Sequence, residues 1–175
     1  LARAPRRNDL RHKLAETLQW AGRYRASAAA FRTILDADPG DLRAQRGLAR
    51  SAFYGGDYAL AHKAYERYLA ARPHETDVLF AYAESLAAAG RFQDAAEIYG
   101  RFVDQHPDSR AGRLAEARNL LWGKAYEQAL PLLQALHEDD PADPEVLRSL
   151  ALAHQGCGNV EQTIACYEKL AELLP

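Results

Sequence analysis

Apolar residues recur along this chain as pairs of helical stripes, with a glycine between the two stripes of each pair. In the first pair, Leu14 and Ala15 belong to one stripe, Phe31 and Ile34 belong to the other, and Gly22 stands between them. Apolar residues that return after three or four positions lie on one face of a helix. A glycine at the boundary supplies the left-handed conformation that ends a helix. The pattern therefore predicts a hairpin of two antiparallel amphipathic helices.

The same hairpin pattern returns with a constant step. Prolines at positions 5, 39, 73, 107, 141 and 175 lie 34 residues apart. Each proline ends a second helix, because it disfavours the helical conformation of the residue before it. A fixed period of this length is the signature of a repeat array. We predict a single domain over 1–175, in which residues 1–7 are the tail of a preceding repeat and the repeats cover 8–41, 42–75, 76–109, 110–143 and 144–175.

Two places in the repeat are small throughout. The eighth residue of every repeat is alanine, and the twentieth is serine, alanine or threonine. Small residues on facing helices allow the two backbones to approach closely, while bulky residues at places 7, 24 and 27 fill the gaps beside them. The helices are predicted near 9–21, 25–37, 43–55, 59–71, 77–89, 93–105, 111–122, 127–139, 145–157 and 161–173.

The fourth repeat departs most from the pattern. Glu116 takes an apolar place, Gly123 comes one place early and is followed by Lys124, and Pro131 enters the second helix. A proline inside a helix removes one backbone hydrogen bond. We expect a locally altered helix turn in this repeat, but not a broken array.

The order of residue types within the unit resembles the tetratricopeptide repeat family, over the whole chain. The Leu-Ala pair, the glycine, the aromatic after it, the small residue, the second aromatic and the final proline match at most places, with alanine in place of glycine at place 8. The resemblance implies an all-α, right-handed α-solenoid of five helix-turn-helix repeats. The matching end points LARAP and AELLP also suggest a slice of a longer array.

Composition and motifs exclude several classes of function. A net charge of −2 argues against general binding of nucleic acids. No apolar run is long enough to span a bilayer. No phosphate-binding loop or catalytic motif appears, so we expect neither enzyme activity nor a cofactor.

His154, Cys157 and Cys166 are the best candidates for a metal site. Because structural zinc takes four ligands, we interpret His154 as a packing residue and both cysteines as free thiols.

The resemblance assigns places 2, 5, 6, 9, 12 and 13 of each first helix to the concave side of the solenoid. Trp, Tyr and Arg dominate binding hot spots, and they are frequent at these places. The predicted partner-binding groove consists of Lys13, Glu16, Trp20, Arg43, Arg46, Arg50, Phe53, Tyr54, Phe80, Glu84, Arg118 and Trp122. A competing interpretation takes the alternating charges at place 9, from Glu16 to Arg118, as a ladder of ion pairs on a solvated face.

We therefore expect a protein–protein interaction scaffold that holds a peptide or partner protein. The alternatives are a structural spacer, a self-association module, an accessory domain of an enzyme encoded in the same gene, and a cytoplasmic adaptor. The residues with which chaperone-binding members of the family hold a terminal carboxylate are absent, since Ala81, Ala111 and Ala115 take their places. The phrases LQWAGRY and LLWGKAY look similar to units of bacterial envelope arrays that serve exopolysaccharide export. That likeness favours a periplasmic scaffold.

The last repeat has no polar capping helix after it. Natural repeat arrays close with such a helix. Cys166, Leu170, Leu173 and Leu174 therefore lie near a surface that a further repeat would cover. We expect self-association through this end of the chain.

Overall fold

Ten α-helices make up all the regular structure that a computed structural model describes, which extends over residues 4–173, with side chains from residue 8 onward. They are α1 (Ala4–Trp20), α2 (Tyr24–Ala37), α3 (Leu42–Tyr54), α4 (Tyr58–Ala71), α5 (Thr76–Ala88), α6 (Phe92–Gln105), α7 (Arg110–Trp122), α8 (Tyr126–Asp139), α9 (Pro144–Gly156) and α10 (Val160–Leu173). The predicted all-α class is confirmed. Within the described range, no helix is both long and apolar enough to cross a bilayer.

Helices α2 to α10 begin and end within one residue of the predicted positions. The first helix differs, because α1 begins at Ala4 and continues without a break to Trp20. Residues 4–7 therefore extend α1, whose start was predicted near residue 9, and their origin as the tail of a preceding repeat stays a prediction. Residues 1–3 of the predicted tail lie outside the described residues.

Side-chain caps fix several of the helix starts. The carboxylate of Asp41 accepts a hydrogen bond of 2.8 Å from the backbone N–H of Ala44 at the start of α3. Asp57 begins α4 in the same way, and Asp143 caps α9, whose first residue is Pro144. Each acceptor satisfies an N–H group that has no partner inside the helix. The acidic residues ahead of the apolar stripes thus set where these helices begin.

The fourth repeat has the same turn as the others. Gly22, Gly56, Gly90 and Gly158 have φ between 69° and 79°, and Lys124 takes the equivalent position with φ of 60°. The N–H of Ala125 donates to the carbonyl of Leu120, as that of Asp57 does to Ala52 in the second repeat. Helix α8 also keeps the length of α6 despite Pro131. The loop between α7 and α8 therefore keeps its geometry, although a lysine takes a conformation that favours glycine. The expected alteration of a helix turn near Pro131 stays a prediction.

The chain divides into two compact units at the bond between Ser85 and Leu86, inside α5. In unit 1, α1 packs on α2, α2 on α3, and α3 on α4. In unit 2, consecutive helices from α6 to α10 pack in the same manner. Within each unit these helices thus lie against their neighbours in sequence, as expected for a repeat array.

Small residues bring the paired helices together, as predicted. The five place-8 alanines are fully buried, and so are Ser27, Ala61, Ala95 and Ala129 at place 20. Ser27 Oγ donates a hydrogen bond of 2.7 Å to the carbonyl of Ala15, which shows how closely α2 approaches α1. The bulky places are exposed only at the outer helices: Leu14 is 58% exposed and Tyr167 is 50% exposed, whereas Phe31 and Leu133 are buried.

Candidate partner-binding groove

A depression in unit 1 is lined by four arginines, and we call it the arginine groove. It has a volume of about 670 Å³ and opens along the first-helix faces of α1 and α3. Its lining residues are Glu16, Gln19, Trp20, Phe31, Leu42, Arg43, Arg46, Gly47, Arg50, Tyr68, Arg72 and Glu75. Five of the predicted groove residues, Glu16, Trp20, Arg43, Arg46 and Arg50, come together here.

Gly47 forms the floor of the arginine groove. A Cβ atom at this position would lie 2.3 Å from Cζ of Phe31, far inside contact distance. Phe31 is almost fully buried beneath it. The glycine therefore allows the Phe31 ring to pack against the α3 backbone within the lining of the groove.

Ion pairs cross between consecutive first helices, but not in the order that the charge pattern predicted. Arg43 donates two hydrogen bonds, of 2.8 and 2.9 Å, to the carboxylate of Glu16, and Arg46 pairs with Asp77. Arg50 has no carboxylate partner within the described residues. The predicted ladder along place 9 is therefore wrong. Glu16 pairs with place 2 of the next repeat, and this arrangement leaves Arg50 without a counter-charge.

Arg50 instead lies over an aromatic row. Its guanidinium carbon is 5.8 Å from the centre of the Tyr54 ring. Tyr54 stacks on Tyr24 at 5.4 Å and touches Phe53 at 4.9 Å. Tyr54 is 51% exposed, so one face of the row remains open to a ligand. A cation held over an aromatic ring in this manner is attracted by the ring's negative face.

A smaller recess, which we call the tyrosine recess, adjoins the groove and shares Arg46 and Arg50 with it. Its volume is about 160 Å³, and it is lined by Arg46, Arg50, Phe53, Tyr54, Tyr65, Asp77, Val78, Ala81 and Glu84. Tyr65 is only 2% exposed, and its hydroxyl has no hydrogen-bond partner among the described residues.

The pKa values of two side chains show that the tyrosine recess is partly shielded from water. Burial raises the pKa of Tyr65 well above its usual value, and the nearby Tyr54 adds to the effect while Arg50 opposes it. Partial burial also raises the pKa of the Glu84 carboxyl. Both shifts arise because a low-dielectric surrounding disfavours the charged form. Polar ligand groups entering the recess would therefore meet side chains that are weakly hydrated.

The other predicted groove residues of unit 1 lie at its margins. Trp20 is 92% exposed at the end of α1. Lys13 pairs with Asp9 along the same helix at 3.3 Å, and Phe80 is half-buried on α5. An indole with so little cover is rare on a protein surface, because tryptophan is usually largely buried.

Unit 2 holds the last two predicted groove residues as a local cluster. The Arg118 guanidinium lies 5.1 Å from the centre of the Trp122 ring and donates to Glu145 at 2.7 Å. Phe92 packs against the same indole at 5.7 Å. Trp122 is 48% exposed, so it combines a packing role with an open face.

The candidate metal ligands do not form a site. Both cysteines are free and half-buried. His154 is buried, and its Nδ1 lies 3.3 Å from the side-chain nitrogen of Asn159 in the turn that follows α9. Across the part of the chain that the structure describes, no three His, Cys, Asp or Glu residues are placed to hold a metal ion.

Several lining residues are absent from the predicted groove, and three of them bear on its chemistry. Arg72 and Glu75 line the arginine groove from the end of α4 and the loop after it, outside the first-helix places that the family pattern assigns. Tyr65 belongs to a packing place, and its ring does pack against Tyr82 at 5.6 Å. Only its hydroxyl distinguishes Tyr65 from the leucine or phenylalanine at the same place in other repeats. That hydroxyl was the available signal of a role beyond packing.

Comparison with known proteins identifies the family. The sequence profile described as tetratricopeptide repeat matches residues 12–53 and 47–110, which together exceed half of the chain. Among curated proteins, no sequence matches.

Solved structures share the fold at low sequence identity. MamA MSR-1 has a TM-score of 0.77 at 18% identity, covering 95% of this chain and 96% of that one. Another MamA structure has a TM-score of 0.78 at 13% identity, with 95% and 91% covered. YrrB, described as a TPR protein with an unusual peptide-binding site, has a TM-score of 0.77 at 18% identity, with 94% and 85% covered. The chain therefore belongs to the tetratricopeptide repeat family, whose repeats form protein-interaction scaffolds.

Proposed function

We propose that this chain is a scaffold that holds a peptide or an exposed segment of a partner protein in the arginine groove of unit 1. The observation that carries the proposal is the groove itself, with its four arginines and an exposed indole at its end. Arginine and aromatic side chains supply most of the free energy at protein interfaces. A depression of this volume admits several residues of an extended chain, and the peptide-binding site of YrrB provides a precedent within the same fold.

The aromatic row beside the groove adds to this argument. Tyr54 is held by Tyr24 and Phe53, so its ring is already fixed before a ligand arrives. A preformed contact loses little side-chain entropy on binding. The cluster of Arg118 and Trp122 in unit 2 is proposed as a second contact region.

Selection of peptides tests this function directly. Phage-displayed random dodecapeptides would be panned on the chain, and the affinity of each selected peptide measured by fluorescence anisotropy. Replacing a hot-spot side chain costs about 2 kcal/mol, or about 30-fold in Kd. We expect a loss of that size in the Arg46→Ala/Tyr54→Ala double variant.

Arg67→Ala is the matched control, since Arg67 is exposed on α4 and lines neither depression. It should bind each peptide as the original chain does. Peptides that bind the double variant as tightly as the original chain would contradict the groove, and a failure to select any peptide would favour a structural spacer.

We also propose self-association through α10 of unit 2. Val160, Ile164 and Tyr167 form an exposed apolar stripe on this helix, with exposed fractions of 61%, 52% and 50%. Contiguous apolar surface of this kind usually marks an interaction site. Of the residues predicted for this surface, Leu173 is 39% exposed, Leu170 is buried at 5%, and Leu174 lies outside the described residues. Cys166 is half-buried.

Light scattering over a range of protein concentrations measures this association. We expect the mass to rise towards that of a dimer, and Ile164→Glu to abolish the rise by placing a charge in the apolar contact. Leu10→Glu, at another exposed apolar residue, is the control and should associate as the original chain does. A monomer at every concentration would overturn the proposal.

A role in an exopolysaccharide-export assembly of the bacterial envelope stays a prediction, based on the two tryptophan phrases around Trp20 and Trp122. Fractionation of cells that express the parent protein would test it, since the prediction requires the protein in the periplasmic fraction.

A further inference from the structure

We propose that the segment held in the arginine groove is acidic, and that one of its side-chain carboxylates binds where the groove meets the tyrosine recess, between Arg50 and Tyr65. This inference rests on the proposed function and specifies the chemistry of the partner.

The charge balance of the groove is the first argument. Four arginines line it, against the two carboxylates of Glu16 and Glu75. Arg43 is already neutralised by Glu16, and Arg46 by Asp77. Arg50 and Arg72 have no carboxylate partner within the range that the structure covers. Glu75 in the groove and Glu84 in the recess balance these two charges overall. The unpaired guanidinium of Arg50, rather than a net positive charge, is therefore what attracts a ligand carboxylate.

Arg50 is the better placed of these two arginines. It lines both depressions, and the Tyr54 ring below its guanidinium restricts where the group can lie. A guanidinium presents a planar fork of N–H donors that matches the two oxygens of a carboxylate. Its donors are not used by any carboxylate of the described chain, so a ligand would not have to displace an existing pair.

The hydroxyl of Tyr65 is the second, independent argument. Tyr65 is only 2% exposed and lines the recess. Its hydroxyl has no hydrogen-bond partner among the residues described, and it is not one of the fully buried atoms that lack a partner, so it is open to the recess. It can donate one hydrogen bond to a ligand oxygen. Arg50 and Tyr65 would then donate to the same carboxylate from two sides.

The size of the recess limits what can enter. Its volume of about 160 Å³ admits one carboxylate side chain. The longer arginine groove would hold the residues on either side.

Glu84 gives the proposal its sharpest test, because it faces the same recess with a negative charge. A carboxylate ligand would be repelled by Glu84, so Glu84→Gln should strengthen its binding. A ligand amide or ammonium group would instead use Glu84 as an acceptor, and the same substitution would then weaken binding.

Three fluorescein-labelled peptides of equal length serve as probes: the acidic GEEYLEEG, its amide twin GQQYLQQG and its basic twin GKKYLKKG. Anisotropy titrations at low salt should give a Kd for the acidic peptide about tenfold or more below that of either twin. Arg50→Gln should raise that Kd about tenfold and Tyr65→Phe about threefold, whereas Glu84→Gln should lower it. Arg67→Gln is the control and should leave it unchanged. Thermal unfolding of each variant verifies that it is folded.

Four results would overturn the inference: a twin that binds as tightly as the acidic peptide, no binding of the acidic peptide, an unchanged Kd in Arg50→Gln, or weaker binding in Glu84→Gln. The proposed function fails separately. If the amide or basic twin binds and the Arg46→Ala/Tyr54→Ala variant loses it, the groove holds peptides but does not select acidic ones. If panning yields no groove-dependent peptide, both proposals fail.

Discussion

At the scale of single residues, Lys124 bears a backbone conformation that glycine provides in four other repeats. Its φ of 60° brings the side chain close to its own backbone. For residues other than glycine, the left-handed conformation costs about 1–2 kcal/mol. The surrounding hydrogen bonds, such as that from the Ala125 N–H to the Leu120 carbonyl, hold the turn in place nevertheless. Lys124 is therefore a point at which the fourth repeat loses stability.

Substituting Lys124→Gly should stabilise the chain. The relief of backbone strain exceeds the larger entropy that glycine loses on folding, so the net gain is about 0.5–1 kcal/mol in the free energy of unfolding. Urea unfolding followed by circular dichroism measures it. Gly56→Ala is the reverse control, because Gly56 has φ of 79° and free space around it, and it should lose about 1 kcal/mol. A destabilised Lys124→Gly variant would contradict the strain argument.

Single residues also show what could not be foreseen. The sequence places Arg50 and Tyr65 correctly on α3 and α4, but pairing depends on which carboxylate is nearest in space. Arg43 rather than Arg50 captures Glu16, which leaves Arg50 for the aromatic row. The unpaired hydroxyl of Tyr65 likewise depends on the shape of the recess, and a repeat pattern contains no information about it.

At the scale of the helices, the starts and ends could be read from the sequence because local chemistry determines them. An aspartate or serine precedes and caps four of the helices, α3, α4, α7 and α9. A residue with positive φ follows the first helix of each of the five repeats. The start of α1 was missed because a repeat pattern predicts only whole repeats. Nothing in the period distinguishes a separate tail from a longer first helix at residues 4–7.

The cap of α3 predicts a dependence of stability on pH. Burial alone would raise the pKa of Asp41, but the N–H of Ala44 and the neighbouring His12 outweigh it, and the pKa is lowered below its ordinary value of 3.8. His12 lies 2.7 Å from the carboxylate. A group whose pKa is lower in the folded state contributes stability above its unfolded pKa. That contribution is lost as the pH falls through the folded value.

Two variants separate the charge of Asp41 from its capping role. Asp41→Ala removes both and should cost about 1 kcal/mol or more at neutral pH. Asp41→Asn keeps a capping oxygen but removes the charge, so it should cost less at neutral pH. Its difference from the original chain should disappear as the pH falls below about 4. Urea unfolding at several pH values measures both, and a difference that stays constant down to the lowest pH would show that the charge contributes nothing.

At the scale of the whole molecule, the two units carry different surfaces. Unit 1 holds the arginine groove and the tyrosine recess, whereas unit 2 holds the apolar stripe of α10. The repeat period predicted the fold of both, because each hairpin buries the same small and large residues against its neighbours. The period did not predict that the two units carry different surfaces. The predicted groove residues were chosen by their position within the repeat, so they were spread over four of the five repeats.

The two tryptophans allow this division to be measured, since one lies in each unit and the chain has no others. Their indole N–H groups give two separate signals in a ¹⁵N–¹H spectrum, and a Trp122→Phe variant assigns them. During titration with the tightest peptide from the selection, our account predicts a progressive shift of the Trp20 signal at the end of the arginine groove, larger than any shift of Trp122. Saturable binding that leaves the Trp20 signal unmoved would contradict it.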